Sequence, residues 1–157
     1  VPLLLNEKSS LFKLFLSDVG MLTSLYGRAT KMKLLSNDQN INYGAIYENV
    51  VAQELKAHGF KLYYFNSKKT GEVDFVIEYN GKVMPIEVKS GKDYRKHSAL
   101  INVIDTPNYS IDEAIVLSNY NVSVSGKITY YPIYMLMFIR NDEIKMPKLE
   151  LDDLSAL

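Results

Sequence analysis

The 157-residue sequence lacks cysteine, which excludes disulfide bonds and cysteine-ligated zinc and is compatible with a reducing compartment. It also lacks an excess of charge, because Lys+Arg and Asp+Glu are equal at 18 each, so any basic surface for nucleic acid has to be local. Long apolar runs are missing too, since the longest, YYPIYMLMFI at 130–139, is too short to cross a bilayer. We therefore expect a cytoplasmic protein without a membrane partner.

Two further features are missing from the sequence. No GxxxxGK[ST] phosphate-binding loop occurs, so the chain carries no ATPase machinery of that type. The chain opens VPLLLNEKSS, without an initiator Met or a charged leader, and we interpret it as a fragment of a longer protein. With 47% hydrophobic residues, it has enough apolar material for one ordinary globular domain.

The first 40 residues are expected to precede the main domain. VPLLLNEKSSLFKLFLSD indicates two apolar strands around a polar loop. DVGMLTSLYG indicates a short helix that Asp18 or Ser17 caps and Gly27 ends. KMKLLSNDQNIN is predicted to be an exposed connection.

The rest of the chain predicts an α/β fold. YGAIYENVVAQELKAHGF has apolar residues at helical spacing and Gly59 at its C-terminal stop. KLYYF is predicted as a strand, a hairpin follows at 71–91, and YRKHSALINVID is a helix ended by Pro107. EAIVLS and KITYYPI are two further strands. This order predicts a mixed β-sheet flanked by helices.

The hairpin GEVDFVIEYNGKVMPIEVKSG can be placed in register from its turn. Asn80-Gly81 is the strongest short signal for a two-residue hairpin loop, because both residues tolerate positive φ. That register puts Phe75 opposite Ile86 on an apolar face. Further expected pairs are Ile77 with Met84, Val73 with Val88, Glu72 with Lys89, and Asp74 with Glu87.

The pairing of Asp74 with Glu87 brings two carboxylates together. They fall in a non-hydrogen-bonded pair, where opposing Cα atoms are about 4.5 Å apart. Like charges directly opposite each other destabilise a sheet, so a cation or a raised pKa is needed, and a metal ion is the natural candidate. Lys89 leaves the strand from the same face as Glu87. The alternative is an ordinary half-exposed hairpin with a Glu72–Lys89 salt bridge and a solvent-facing Asp74.

Glu48 on the preceding helix, Asp74, and Glu87-Val88-Lys89 together resemble the PD-(D/E)XK nuclease-like superfamily, with Val73 where the name has proline. More narrowly, FLSDVGMLTSL, GAIYENVVAQEL and EVDFVIEYNGKVMPIEVKSG, in this order, are similar to the uncharacterised C-terminal domain of bacterial and archaeal AAA-family ATPases. The resemblance covers roughly residues 11 to 140.

The resemblance implies a domain organisation. Residues 41–140 would be a restriction-endonuclease-like core. Residues 1–40, with their hairpin and short helix, would be the end of a winged-helix segment, and 141–157 a C-terminal tail. The ATPase that the family carries upstream would be a partner within the full-length protein.

The resemblance also implies a role for each site residue. Asp74 and Glu87 would bind Mg²⁺, a hard ion that takes carboxylates and keeps waters, and the backbone carbonyl of Val88 would complete the shell. Lys89 would orient the attacking water or stabilise charge on the phosphate. Glu48 would hold a metal-bound water or a second ion.

A basic stretch, KSGKDYRKH, follows the hairpin. Lys92, Arg95 and Lys96 would contact the DNA backbone, although a solvated helix start is an equally good explanation. Three functions stay open: a Mg²⁺-dependent endonuclease-like domain, a catalytically silent module that binds DNA or protein, and an oligomerisation module.

Overall fold

The computed structural model describes residues 3–8, 10–36, 38 and 41–141, and within them it contains a mixed six-stranded sheet. The strands are β1 (Tyr63–Ser67), β2 (Gly71–Tyr79), β3 (Lys82–Val88), β4 (Ala114–Ser118), β5 (Ser123–Ser125) and β6 (Ile128–Pro132). Their order across the sheet is β1-β2-β3-β4-β6-β5. The β3–β4 and β4–β6 pairs are parallel and the others antiparallel, which confirms the predicted mixed sheet.

Helices cover both faces of the sheet. Helix α3 (Gly44–Ala57) places Val51 and Leu55 on a cluster that includes Phe75, Ile86 and Val88. On the other face, α4 (Ser98–Ile104) contributes Leu100 and Val103 to a cluster with Val73 and Val116. Helix α4 crosses over between the parallel strands β3 and β4, as such a pair requires. Gly59 has φ +84° just after α3, as the predicted helix stop requires.

The hairpin turn sets the predicted register near the loop. Asn80 has φ 50° and Gly81 φ 74°, which suits a two-residue turn. The pairs from Tyr79–Lys82 to Phe75–Ile86 are those expected from the sequence.

Further from the turn than Phe75 and Ile86, the predicted pairs, Asp74 with Glu87, Val73 with Val88 and Glu72 with Lys89, are wrong. Val73 lies in the α4 cluster, whereas Val88 lies in the α3 cluster on the opposite face. The cause is in the β1–β2 pairing, where Tyr63 pairs with Val76 and Phe65 with Val73, so β2 has one residue more than β1 over this interval. This is the residue count of a β-bulge, which reverses the facing of the side chains beyond it.

The predicted N-terminal strands are also absent from the described residues. Leu3–Asn6 is a 3₁₀ helix, and residues 10–18 have no strand. Helix α1 (Val19–Ser24) forms as predicted, and Asp18 caps it by accepting the Met21 N–H at 3.1 Å.

The segment predicted as an exposed connection contains α2 (Arg28–Leu35), and this prediction was wrong. Gly27 is the N-cap residue of α2 and does not end α1. Lys, Met and Leu are good helix formers, and they decided the local conformation although α2 buries no residue. The predicted tail lies outside the described residues from 142 onwards. Among the described helices, none is both long enough and apolar enough to span a membrane.

Candidate acidic site

The candidate site lies where β2 and β3 stop pairing, and Asp74 is its central residue. Its Oδ2 accepts the backbone N–H of Val88 at 2.8 Å, so the carboxylate takes over a bond that a strand neighbour would otherwise make. Its Oδ1 lies 3.6 Å from the Nζ of Lys13. The bulge in β2 positions this side chain, as bulges commonly do beside functional sites.

Glu87 on β3 is almost fully buried, at 6% exposure. Its Oε1 accepts a hydrogen bond from Lys89 Nζ at 2.7 Å, but its Oε2 is buried without a hydrogen-bond partner. Burial and the negative charge of Asp74 raise the pKa of Glu87. Asp74 and Glu87 are therefore electrostatic neighbours, as the sequence predicted, although the strands do not pair there.

Glu48 reaches the same site from α3. Burial and the charge of Asp74 raise the pKa of Glu48, against the opposing effect of Lys13. The structure thus brings together four predicted residues, Glu48, Asp74, Glu87 and Lys89. The Glu72–Lys89 pair of the alternative interpretation is not formed, since Lys89 contacts Glu87 and Glu72 accepts from Asn66 at 2.9 Å.

Lys13 was missed by sequence reasoning. Its Nζ lies 2.6 Å from Glu72 Oε1 and 3.6 Å from both Glu48 Oε2 and Asp74 Oδ1. Burial alone would lower the pKa of Lys13, but the hydrogen bond to Glu72 and the three negative charges raise it. The only signal for it in the sequence is a single charge within the apolar run LFKLFL.

Asn49 fixes the backbone of the segment that carries Lys13. This residue is 2% exposed, and its side chain accepts the Leu16 N–H at 2.9 Å and donates to the Leu16 carbonyl at 3.1 Å. Gln53, one helical turn further along α3, accepts the Val19 N–H at 3.0 Å. An asparagine on the apolar side of a predicted helix is a signal that could have revealed this contact.

The predicted basic patch lies on a turn and not on a helix. Lys92, Arg95 and Lys96 are exposed, and Lys96 pairs with Asp93 at 3.1 Å. Arg95 lies over two tyrosine rings, 5.3 Å from the centroid of Tyr94 and 5.1 Å from that of Tyr130. The patch follows Lys89 of the acidic site along the chain.

His97 follows the patch and is buried, at 5% exposure. Its Nε2 lies 2.7 Å from the hydroxyl group of Tyr130. Burial lowers the pKa of His97, and the positive charges of Lys89 and Arg95 act in the same direction, against a backbone hydrogen bond that raises it.

The residues of the site partly fit a magnesium ion. Carboxylate and carbonyl oxygens are the donors that Mg²⁺ prefers, and the buried, unpartnered Oε2 of Glu87 is a free donor of that type. In the described part of the chain, no three Asp, Glu, His or Cys side chains are arranged to hold a metal ion. Asp74, Glu87 and the Val88 carbonyl would thus need waters or substrate oxygens to complete a shell.

These features define the class of protein: a mixed α/β domain with a cluster of carboxylates and lysines where the strands β2 and β3 stop pairing. The chain belongs to the family described as domain of unknown function DUF4143, whose profile matches residues 43–136, more than half of the chain. The match includes Glu48, Asp74, Glu87 and Lys89, whereas Lys13 lies outside it. Comparison with curated proteins and with solved structures finds no match.

Proposed function

We propose that this domain is a PD-(D/E)XK nuclease-like domain that hydrolyses phosphodiester bonds of DNA with the help of Mg²⁺. The observation that carries the proposal is the buried Glu87 carboxyl group: Lys89 donates to its Oε1, its Oε2 is buried without a side-chain partner, and burial and the charge of Asp74 raise its pKa. A buried carboxylate without a full set of partners costs stability, so its presence beside a second carboxylate and a lysine favours a functional role.

Each residue has a task that its contacts support. Asp74, Glu87 and the Val88 carbonyl would hold the ion, and the Val88 N–H fixes the Asp74 carboxylate at 2.8 Å. Bound Mg²⁺ would lower the pKa of a water and neutralise charge on the phosphate. Lys89 would donate to the attacking water or to a phosphate oxygen, and Glu48 would accept a hydrogen bond from a metal-bound water.

The basic patch supports a phosphate-rich substrate. Lys92, Arg95 and Lys96 are exposed and follow Lys89 along the chain, and Arg95 lies over two tyrosine rings. Such cations contact the backbone of nucleic acid without regard to sequence.

A specific observation favours a second candidate, a catalytically silent module that binds DNA or protein. Lys13 already neutralises part of the acidic cluster, as a structural ion pair would do. The N-terminal segment also exposes large apolar side chains that a partner domain would cover. They include Leu5, Phe12, Leu14, Leu25 and Leu35.

The partner in this reading is an AAA-family ATPase domain upstream in a longer cytoplasmic protein. Oligomerisation through the same apolar surface is the third possibility.

The decisive experiment tests the role of Glu87 as a metal ligand separately from the role of Lys89 in catalysis. Glu87→Gln should abolish Mg²⁺ or Mn²⁺ binding measured by calorimetry, because it removes the charge of a proposed ligand. Lys89→Ala should leave binding largely intact. Both variants should lose metal-dependent cleavage of a DNA substrate, since one lacks the ion and the other the group that organises the water.

The basic patch supplies an independent arm of this experiment. Arg95→Glu should weaken DNA association and reduce its salt dependence without changing metal affinity. Lys61→Glu is the matched control, because Lys61 is an exposed cation that pairs with Glu7 away from the site. The nuclease proposal fails if a protein that includes the ATPase binds DNA but does not cut it with any divalent ion, and if Glu87→Gln changes neither its metal affinity nor its DNA binding. The catalytically silent module would then be the better interpretation.

A further inference from the structure

Lys13 occupies the side of the acidic site that faces α3. Its ammonium group contacts Glu48, Glu72 and Asp74, and its side chain is 19% exposed. Asp74 Oδ1, which faces Lys13, is also the Asp74 oxygen that does not accept the Val88 N–H. A divalent ion bound to Asp74 would therefore take the oxygen that Lys13 now contacts.

An ammonium group and a divalent cation compete when both approach the same carboxylate oxygen. Two positive charges a few ångströms apart repel each other strongly, and partial burial weakens the screening by water. While the carboxylates hold the Lys13 ammonium, their affinity for a divalent ion is therefore lower.

Lys13 is held there by the segment that carries it. The hydrogen bonds of Leu16 to Asn49 and of Val19 to Gln53 fix the backbone on α3. Phe15 packs its ring 5.3 Å from that of Phe75 in the core. The ammonium also lies 5.5 Å from the ring centroid of Tyr64, a cation–π distance.

We propose that Lys13 is a resident cation that occupies the acidic site and that a divalent ion binds Asp74 only when the Lys13 ammonium leaves it. The proposal rests on the proposed function, because it presumes the metal site. Residues 10–19 then form an autoinhibitory strap, and any partner that lifts this strap loads the site with metal.

The first test compares Mn²⁺ affinity between wild type and Lys13→Met by calorimetry. Methionine keeps an unbranched apolar side chain and removes the charge, so affinity should rise by about tenfold or more when one close like charge is lost. Lys13→Arg keeps the charge and should bind as weakly as wild type. Lys61→Met, a charge loss away from the site, should leave the affinity unchanged.

The second test needs no variant and so does not depend on whether Lys13→Met folds. Lysine acetylation of the wild-type chain is followed by mass spectrometry with and without Mg²⁺. Acetylation of Lys13 should be slow without metal and several-fold faster with it, whereas Lys61 should react equally in both conditions.

The outcomes separate this inference from the proposed function. Equal Mn²⁺ affinity in wild type and Lys13→Met, or acetylation of Lys13 that Mg²⁺ leaves unchanged, would overturn the inference and leave the nuclease proposal standing. Absence of metal binding in both proteins would overturn both. Tighter binding by Lys13→Met alone, with Mg²⁺-dependent acetylation, supports both.

Discussion

The two halves of the β2–β3 hairpin differ in the groups that form hydrogen bonds with their backbone. In the closed half, residues 75–79 and 82–86, the strands pair with each other in regular register. In the open half, residues 71–74 and 87–89, that pairing ends and the Asp74 side chain accepts the Val88 N–H. The closed half buries only apolar side chains, such as Phe75, Ile77 and Ile86, whereas the open half also buries the ionisable Glu87.

This difference shows how one hairpin combines a stable scaffold with a costly site. Burial of apolar side chains in the closed half stabilises the folded protein. The open half keeps a buried, incompletely paired Glu87, which opposes folding. Functional sites commonly retain such unfavourable features on a scaffold that is stable enough to carry them.

The largest effect is expected in the closed half. Phe75 is 1% exposed and contacts the ring of Phe15, so Phe75→Ala should lower the free energy of unfolding by about 3 to 5 kcal/mol. Urea unfolding followed by circular dichroism measures the change. Phe12→Ala is the matched control, because Phe12 is 78% exposed and its removal should change stability by less than about 0.5 kcal/mol.

A cost for Phe75→Ala no larger than that for Phe12→Ala would contradict the assignment of Phe75 to the core. It would also remove the contrast between the halves, since the closed half would then not be the stabilising one.

An intermediate effect is expected at Asp74, where a side chain replaces a strand partner. Asp74→Ala leaves the buried Val88 N–H without its acceptor and should cost about 1 to 3 kcal/mol. Asp74→Asn keeps an acceptor oxygen and relieves repulsion with Glu87 and Glu48, while it loses the attraction of Lys13. Its effect without metal should therefore stay within about 1 kcal/mol of wild type in either direction.

Urea unfolding in the presence of a chelator compares the two variants. Equal losses for Asp74→Ala and Asp74→Asn would mean that the charge, and not the hydrogen bond to Val88, is what the open half needs.

The closed half could be predicted from the sequence because its signal is local. Asn80-Gly81 fixes the turn, and two-residue alternation then assigns every side chain to a face. The open half could not, because the bulge depends on how β1 pairs with β2. Val73 is apolar and is compatible with either cluster. The alternation of side chains therefore did not indicate that Val73 lies on the opposite face from Phe75 and Val88.

The N-terminal part shows a second limit of sequence reasoning. LFKLFL is compatible with a strand, but its backbone at Leu16 is satisfied by the Asn49 side chain, which no local pattern encodes. The contact of Lys13 with the site depends on that same tertiary bond. The sequence predicted that Asp74, Glu87 and Lys89 lie close together, as their contacts show, but it did not predict that the N-terminal segment adds Lys13.

The smallest effect is expected at Glu87, and it depends on pH. Burial and the charge of Asp74 raise the pKa of Glu87 above its ordinary value of 4.5. The folded protein thus holds this proton at pH values where the unfolded chain has released it, and stability falls as pH rises from about 4.5 through the folded-state pKa. Glu87→Gln cannot ionise and escapes that loss, while its amide oxygen can still accept the hydrogen bond from Lys89.

Glu87→Gln should therefore match wild type at pH 4 and exceed it at pH 8 by a few tenths of a kcal/mol, the size of one close like-charge pair. Urea unfolding at both pH values, with a chelator present, measures the difference. Glu113→Gln, at an exposed glutamate, is the control for replacing one carboxyl group by an amide. If Glu87→Gln is no more stable than wild type at pH 8, then ionised Glu87 does not destabilise the fold. The polar groups of the open half would then be as well paired as those of the closed half.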